Sequence, residues 1–308
     1  MAHLPEPRHD RACALALSLA CDALLEASQV VLEQIAALKK NNVSLIELRG
    51  VDGTSVARLT DEQAKEARKK LDDAGIKLSS MGSPYGKYAI EKDFAEHRDY
   101  FRRGLEICKI LGASQIRMFS FFMPEGSNPA DWRNKVMDQL GLMLEDAKDA
   151  GIKLLHENEK GIYGDIDDRC VDIMQVYGDQ LGCIFDPANF IQCGVKPIEA
   201  FAKLEKWITY MHIKDAIMAD GAVVPAGKGE GDIPTILDAL GKKADKMILT
   251  LEPHLTVFDG LKGLQDEELT HHYTSETPEA AFDAACNALK EVLTGIGYSE
   301  TETGVWAK

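Results

Sequence analysis

The stretch Asp149-Ala150-Gly151-Ile152-Lys153-Leu154-Leu155-His156-Glu157-Asn158-Glu159-Lys160 holds one complete period of the chain. A helical run closes on Gly151, a residue that tolerates the left-handed conformation found at helix ends. A short apolar run of strand length follows, and it finishes in ionisable side chains. The same junction recurs at Ala74-Gly75-Ile76 and at Leu111-Gly112-Ala113. This pattern predicts strands at Cys13–Leu19, Val43–Leu48, Ile76–Met81, Ser114–Phe119, Ile152–Glu157, Leu181–Asp186, Trp207–Ile213 and Met247–Glu252. Apolar residues three and four apart predict helices near Ser28–Lys40, Asp61–Ala74, Asp93–Leu111, Asp131–Ala150, Asp167–Tyr177, Pro197–Glu205, Ile233–Gly241 and Pro278–Thr294. Strict alternation implies a parallel sheet, because parallel neighbours need a crossover and a helix supplies it. Eight such units, with no linker rich in Pro, Gly or Ser, predict an α/β fold: a single-domain (β/α)8 TIM barrel over residues 1–308. An open doubly wound sheet would carry a glycine fingerprint after its first strand, whereas Leu19 is followed by Ala20-Cys21-Asp22-Ala23.

Composition narrows the partners. The 308 residues carry 35 Lys+Arg against 50 Asp+Glu, a formal charge of −15. Nucleic acid would meet that charge with repulsion unless basic residues were concentrated. The pairs Lys39-Lys40, Lys69-Lys70 and Lys242-Lys243 are short and lie near predicted helix ends. Seven scattered cysteines without a Cys-x-x-Cys spacing predict neither a disulfide framework nor a structural zinc site. Buried thiols in a reducing cytoplasm are expected instead. Arg8 and Arg11 before the apolar run from Ala12 to Ala20 faintly imitate a signal peptide, but the run serves better as the first strand. No segment approaches the ~20 apolar residues that span a bilayer.

A barrel places its chemistry at the carboxyl ends of its strands. Strand five ends in His156-Glu157, strand six in Asp186, strand seven in His212 and strand eight in Glu252. Side chains alternate along a strand, so residues two apart share a face. Glu252 turned inward brings Ile248, Thr250 and His254 with it; His212 brings Tyr210 and Lys214; Glu157 brings Leu155 and Glu159. Two Glu, one Asp and one His form an oxygen-rich set suited to a single divalent ion: Mn2+ first, with Mg2+, Co2+ or Zn2+ as alternatives. Carboxylates so close together would repel strongly without a cation.

Several motifs carry a resemblance. They are Glu47-Leu48-Arg49, Gly82-Ser83-Pro84-Tyr85-Gly86-Lys87, His156-Glu157-Asn158-Glu159-Lys160, Phe185-Asp186-Pro187-Ala188-Asn189, His212-Ile213-Lys214-Asp215 and Leu251-Glu252-Pro253-His254. Through them nearly the whole chain resembles the xylose-isomerase-like TIM barrels, the sugar phosphate isomerase/epimerase superfamily. The resemblance implies a metal held by Glu157, Asp186, His212 and Glu252. It also implies that Glu157 and Glu252 act as the acid/base pair flanking a ketose, whose enediolate the metal stabilises. The Glu-Asn-Glu-Lys run and the Pro-His after the last ligand depart from the ketose 3-epimerase pattern, which leaves the substrate open.

Other residues are expected to contact substrate: Arg49, Lys87, Arg117, Glu159, Lys214 and His254. Each has a structural alternative. Arg49 and Arg117 would brace carboxylates such as Glu47, Lys214 would pair with neighbouring acids, and His254 would orient Glu252. Glu159 is a second candidate base, and Asn189 is expected to buttress Asp186. Gly227-Lys228-Gly229-Glu230-Gly231-Asp232 invites a phosphate reading, opposed by its two acids and by Asp232 as a helix cap. Residues 253–277 form a long loop after strand eight, of the kind used for lids or subunit contacts in a homo-oligomer. A second metal near Glu159 or Asp215 stays open.

The expected function is therefore a metal-dependent isomerase or epimerase acting on a small carbohydrate. The alternative is a lyase of the inosose-dehydratase kind, which would use the same cradle to expel water. An apurinic-site endonuclease would need more histidine ligands and a less acidic chain, and a non-catalytic sugar-binding barrel would be expected to have lost the ligand set.

Overall fold

A computed structural model describes residues 16–21, 31–243, 246–252, 254–255, 273 and 275–308. Eight parallel strands form the barrel: β1 (Ala16–Cys21), β2 (Leu45–Leu48), β3 (Lys77–Gly82), β4 (Gln115–Met118), β5 (Lys153–Glu157), β6 (Leu181–Phe185), β7 (Ile208–Ile213) and β8 (Lys246–Leu251). Each pairs with its predecessor, and β8 pairs back onto β1 from Ala16↔Lys246 to Cys21↔Leu251, so the sheet closes. All eight expected strands are present, with ends displaced by at most three residues.

The helices are α1 (Val31–Lys40), α2 (Asp61–Ala74), α3 (Phe94–Leu111), α4 (Pro129–Ala150), α5 (Asp167–Tyr177), a short α6 (Pro187–Gln192), α7 (Pro197–Leu204), α8 (Ile233–Leu240) and α9 (Pro278–Gly295). Their boundaries follow local chemistry. Thr60, Asp93, Asn128 and Thr277 accept hydrogen bonds from the first-turn amides of α2, α3, α4 and α9. At the other end Gly75, Gly112 and Gly151 take φ of 74°, 76° and 73°, the left-handed closure expected of them.

Strand alternation splits the apolar residues into two layers. Leu155, Ile184 and Tyr210, with Ile248 against them, fill the interior of the barrel. Leu154, Cys183, Phe185, Met211 and Leu249 belong to the core between strands and helices. The expected parity of β5, β7 and β8 is thus the one observed. Inside the barrel the Tyr210 hydroxyl meets Ser79 Oγ at 3.0 Å and accepts from Thr250 Oγ1, tying three strands together.

Some features depart from expectation. Helix α6 follows Asp186-Pro187 directly, because Pro presets the first-turn φ and Asp186 Oδ1 accepts from the Asn189 amide at 2.9 Å. A carboxy-terminal hairpin, β9 (Ser299–Glu302) and β10 (Val305–Ala307), lies against the barrel wall. Strand β10 pairs with Leu17 and Ser18, while β2 takes Ala20 and Cys21, so β1 is shared along its length. Asp232 stands at the α8 N-cap with φ 53° and makes no side-chain cap bond, so the expected capping is absent. Cys108, Cys170, Cys183, Cys193 and Cys286 are free thiols. Among the described residues no helix is long and apolar enough to cross a membrane. The beginnings of the expected first strand and first helix, and most of the 253–277 loop including Phe258, His271 and His272, lie outside the described residues.

Candidate metal centre

The carboxyl ends of β5 to β8 deliver Glu157, Asp186, His212 and Glu252 to one point. One donor atom from each lies within 4.8 Å of the others, and all four residues are buried. Two further strands contribute, β2 through Glu47 and β4 through Arg117. Glu47 on β2 is fully buried, and its Oε2 lies 3.4 Å from His212 Nε2. His212 Nδ1, the opposite nitrogen, lies 3.0 Å from Glu157 Oε1 and 3.1 Å from Glu252 Oε1. A carboxylate on one ring nitrogen fixes the orientation in which the other faces the cluster.

Two cations are built in. Arg117 Nη1 sits 3.4 Å from Glu47, 3.3 Å from Glu157 and 3.5 Å from Glu252. Lys214 Nζ sits 3.0 Å from Asp186 Oδ2 and 2.8 Å from Glu252 Oε2. Of the paired expectations for these residues, bracing of acids is what the geometry displays. Burial alone would raise the Glu157 carboxyl, but His212 and Arg117 outweigh it and hold Glu157 at about 2. Asp186 is lifted to about 7 by burial and by Glu252 and Glu157, with Lys214 opposing. Burial works against charge on His212, yet Glu157, Glu252 and Glu47 raise its pKa well above the usual imidazole range.

Two asparagines, of which the sequence singled out only Asn189, secure the cluster. Asn158 grips the backbone of Asp186 in both directions, donating to its carbonyl and accepting from its amide at 3.0 Å each. Asn189 donates to Glu157 Oε1 at 3.3 Å and to the Asn158 carbonyl at 2.9 Å. Its side chain therefore steadies Glu157, while its backbone amide buttresses Asp186 as expected. The clue lay in the order of the motifs, Glu157-Asn158 on one strand and Asp186-x-x-Asn189 on the next, but only adjacency of β5 and β6 turns it into contacts.

The remaining candidates divide. Lys87 and Glu159, from the loops after β3 and β5, form a half-buried ion pair at 2.7 Å, with the Lys87 ammonium 4.5 Å from the centre of the Phe119 ring. Glu159 is thereby paired with Lys87 and is not one of the four clustered donors. Gly82 makes room for the strand-two pair: a Cβ there would stand 2.8 Å from Arg49 Cγ and 3.1 Å from Glu47 Cγ. His254 is buried and makes no side-chain hydrogen bond, so it does not orient Glu252 as expected. Burial and the nearby Lys214 charge push its pKa down to about 3, leaving a neutral imidazole.

The glycine-rich loop after β7 tells against the phosphate reading, as its acids did. Gly227, Gly229 and Gly231 donate their amides to Asp215 at 2.9, 3.1 and 2.8 Å, and Ala216 adds a fourth bond at 2.9 Å. The amide array suited to a phosphate closes on the chain's own carboxylate. The same four bonds occupy both carboxylate oxygens of Asp215.

Comparison with solved structures finds the same architecture. The IolI protein with a bound zinc atom is 19% identical, with 91% of this chain and 99% of that chain covered and a TM-score of 0.72. An L-ribulose 3-epimerase is 16% identical over 91% and 95% of the two chains, with a TM-score of 0.70. The probable 3-DHS dehydratase AsbF of Bacillus anthracis is 14% identical over 89% and 98%, with a TM-score of 0.69. At these identities the likeness is one of fold. No curated protein sequence matches the chain. The model of the xylose isomerase-like TIM barrel family matches residues 35–291, and the chain belongs to that family.

Proposed function

We propose that the protein is a divalent-metal-dependent isomerase or epimerase of a sugar or sugar-like ketose. The carrying observation is the buried convergence of Glu157, Asp186, His212 and Glu252 within 4.8 Å. The residues fit a metal on two further counts. Glu157 Oε2 and Asp186 Oδ2 are buried acceptors that make no hydrogen bond. Charge also balances: Glu47, Glu157, Asp186 and Glu252 bring four negative charges, Arg117 and Lys214 return two, and a divalent ion with neutral His212 supplies the rest. Mn2+ is the first choice for this donor set, with Mg2+, Co2+ and Zn2+ as alternatives.

When bound, the ion supplies Lewis acidity toward a substrate carbonyl and its neighbouring hydroxyl. The residues do the rest. Glu157 is ionised at neutral pH and accepts the proton adjacent to the carbonyl. Glu252, from the neighbouring side of the cluster, returns a proton, and the two exchange roles with reaction direction. Arg117 and Asn189 hold Glu157 in place, while Arg117 and Lys214 hold Glu252. The Leu155, Ile184 and Tyr210 layer beneath keeps water from entering below. Arg49, Lys87 with Glu159, and neutral His254 are assigned to substrate hydroxyls.

The test follows solvent deuterium into a ketose panel with Glu157→Gln and Glu252→Gln. Each variant is expected to lose about 100-fold or more of the exchange; undiminished exchange in both would remove the assignment. The same proton abstraction can begin a dehydration, so an enone or dione absorbance appearing with an inosose substrate would assign the chemistry to a lyase instead.

A further inference from the structure

Arg117 and Lys214 neutralise the same carboxylates in different ways. Arg117 is a rigid fork, buried, with one nitrogen shared among Glu47, Glu157 and Glu252. Lys214 carries a compact ammonium on a flexible stem. That ammonium lies directly between two of the four clustered ligands, Asp186 and Glu252, which come from different strands. Toward Asp186 Oδ2 it is close enough to pair by charge at 3.0 Å, yet that oxygen makes no directed hydrogen bond. An attraction without directional bonding is the kind another cation can replace. A small pocket lies beside the stem, lined by Lys214, Glu252, Val224, Pro225 and Leu255.

We propose that Lys214 is a tethered counter-cation of the cradle, whose ammonium holds the Asp186–Glu252 edge until a divalent ion displaces it, and whose charge sets how tightly that ion is held. The inference rests on the metal-cradle reading above and adds a regulator of affinity to it. Without Lys214 the metal-free cradle would hold four buried carboxylates against Arg117 and His212 alone. With it, the empty site remains foldable, and the ion must compete with a positive charge a few ångströms away. Once displaced, the ammonium stands beside the ion, where an oxygen-rich substrate arrives.

The experiment titrates Mn2+ calorimetrically into chelator-treated wild type, Lys214→Met and Lys214→Arg, with thermal melts of each form. The methionine variant keeps the length of the stem and removes the charge. It is expected to bind Mn2+ at least about tenfold more tightly than wild type, because a like charge close to the ion has gone. Its metal-free form is expected to melt below wild type, and saturation with Mn2+ to narrow that gap. Lys214→Arg keeps the charge and is expected to bind no more tightly than wild type. Equal or weaker affinity in folded Lys214→Met overturns the inference, as does an equal gain in Lys214→Arg. Should Lys214→Met fold only with metal, competition against a chelator gives its affinity, and the same tenfold criterion applies. A wild type that takes up no Mn2+, Mg2+, Co2+ or Zn2+ sinks the cradle reading itself, whereas a wild type that binds while Lys214→Met gains nothing sinks this inference alone.

Discussion

His212 shows what single residues do here. Its two nitrogens face carboxylates on opposite sides, Glu47 on one and Glu157 with Glu252 on the other, so its ring is oriented by charge from three strands. Asn158 acts through the backbone alone, and its clamp on Asp186 is the cheapest point at which to loosen the cluster. Asn158→Ala is expected to weaken Mn2+ binding by about 10- to 100-fold, read by calorimetry, while leaving the fold intact. His97 belongs to the same scale. It is buried, accepts a hydrogen bond from the Gly86 amide at 3.0 Å and stacks on Tyr88 with ring centres 4.7 Å apart. Burial lowers its pKa to about 4 from the ordinary 6.5. The unfolded chain therefore binds the extra proton first, so His97 contributes stability above pH 6.5 that is lost as pH falls toward 4, up to roughly 3 kcal/mol. Denaturant melts of wild type and His97→Phe are expected to converge as pH drops from 7 to 4.5. A gap independent of pH would count against this account. Protonation would also free the Gly86 amide and loosen the loop that carries Lys87.

At the scale of elements, strands β5 to β8 each deliver one residue of the cluster because an inward residue at or beside the last strand position emerges into the mouth. The residues two positions earlier, Leu155, Ile184, Tyr210 and Thr250, and Ile248 two further back, are the same alternation seen lower down the barrel. The loop after β7 is held by a different device. A Cβ on Gly229 would approach Asp215 Oδ1 to 2.4 Å and the Ala216 carbonyl to 2.5 Å, so no larger residue fits without opening the amide ring. Gly229→Ala is expected to cost about 1–3 kcal/mol of stability by chemical denaturation. It should also disturb Lys214, which immediately precedes Asp215, so affinity for Mn2+ should change along with stability.

The whole molecule separates stability from chemistry along the barrel axis. The β9–β10 hairpin grips the amino-terminal half of β1, whereas the cluster lies at the carboxyl ends. Trp306 in β10 is buried, and Trp306→Ala is expected to cost about 3–5 kcal/mol while leaving Mn2+ stoichiometry and affinity unchanged. Metal should act in the opposite sense. Free Mn2+ at about 100 times its dissociation constant is expected to stabilise the folded chain by roughly 2.7 kcal/mol, reversed by a chelator.

The alternation of strand and helix, the glycine closures and the strand-end ligands were legible along the chain, because each depends on neighbours a few residues apart and on a fixed period. Helix α6 and the carboxy-terminal hairpin were not, since short elements carry too few periods to stand out. The centre divides in the same way. Glu157, Asp186, His212 and Glu252 could be picked out from their places at strand ends. Folding alone settled that Glu47 meets His212 across 165 residues of chain, that Lys214 stands between Asp186 and Glu252, and that Asp215 fills its own glycine ring. Those contacts join residues far apart in the chain, and which partner a charged side chain finds depends on where closure of the barrel brings the strands.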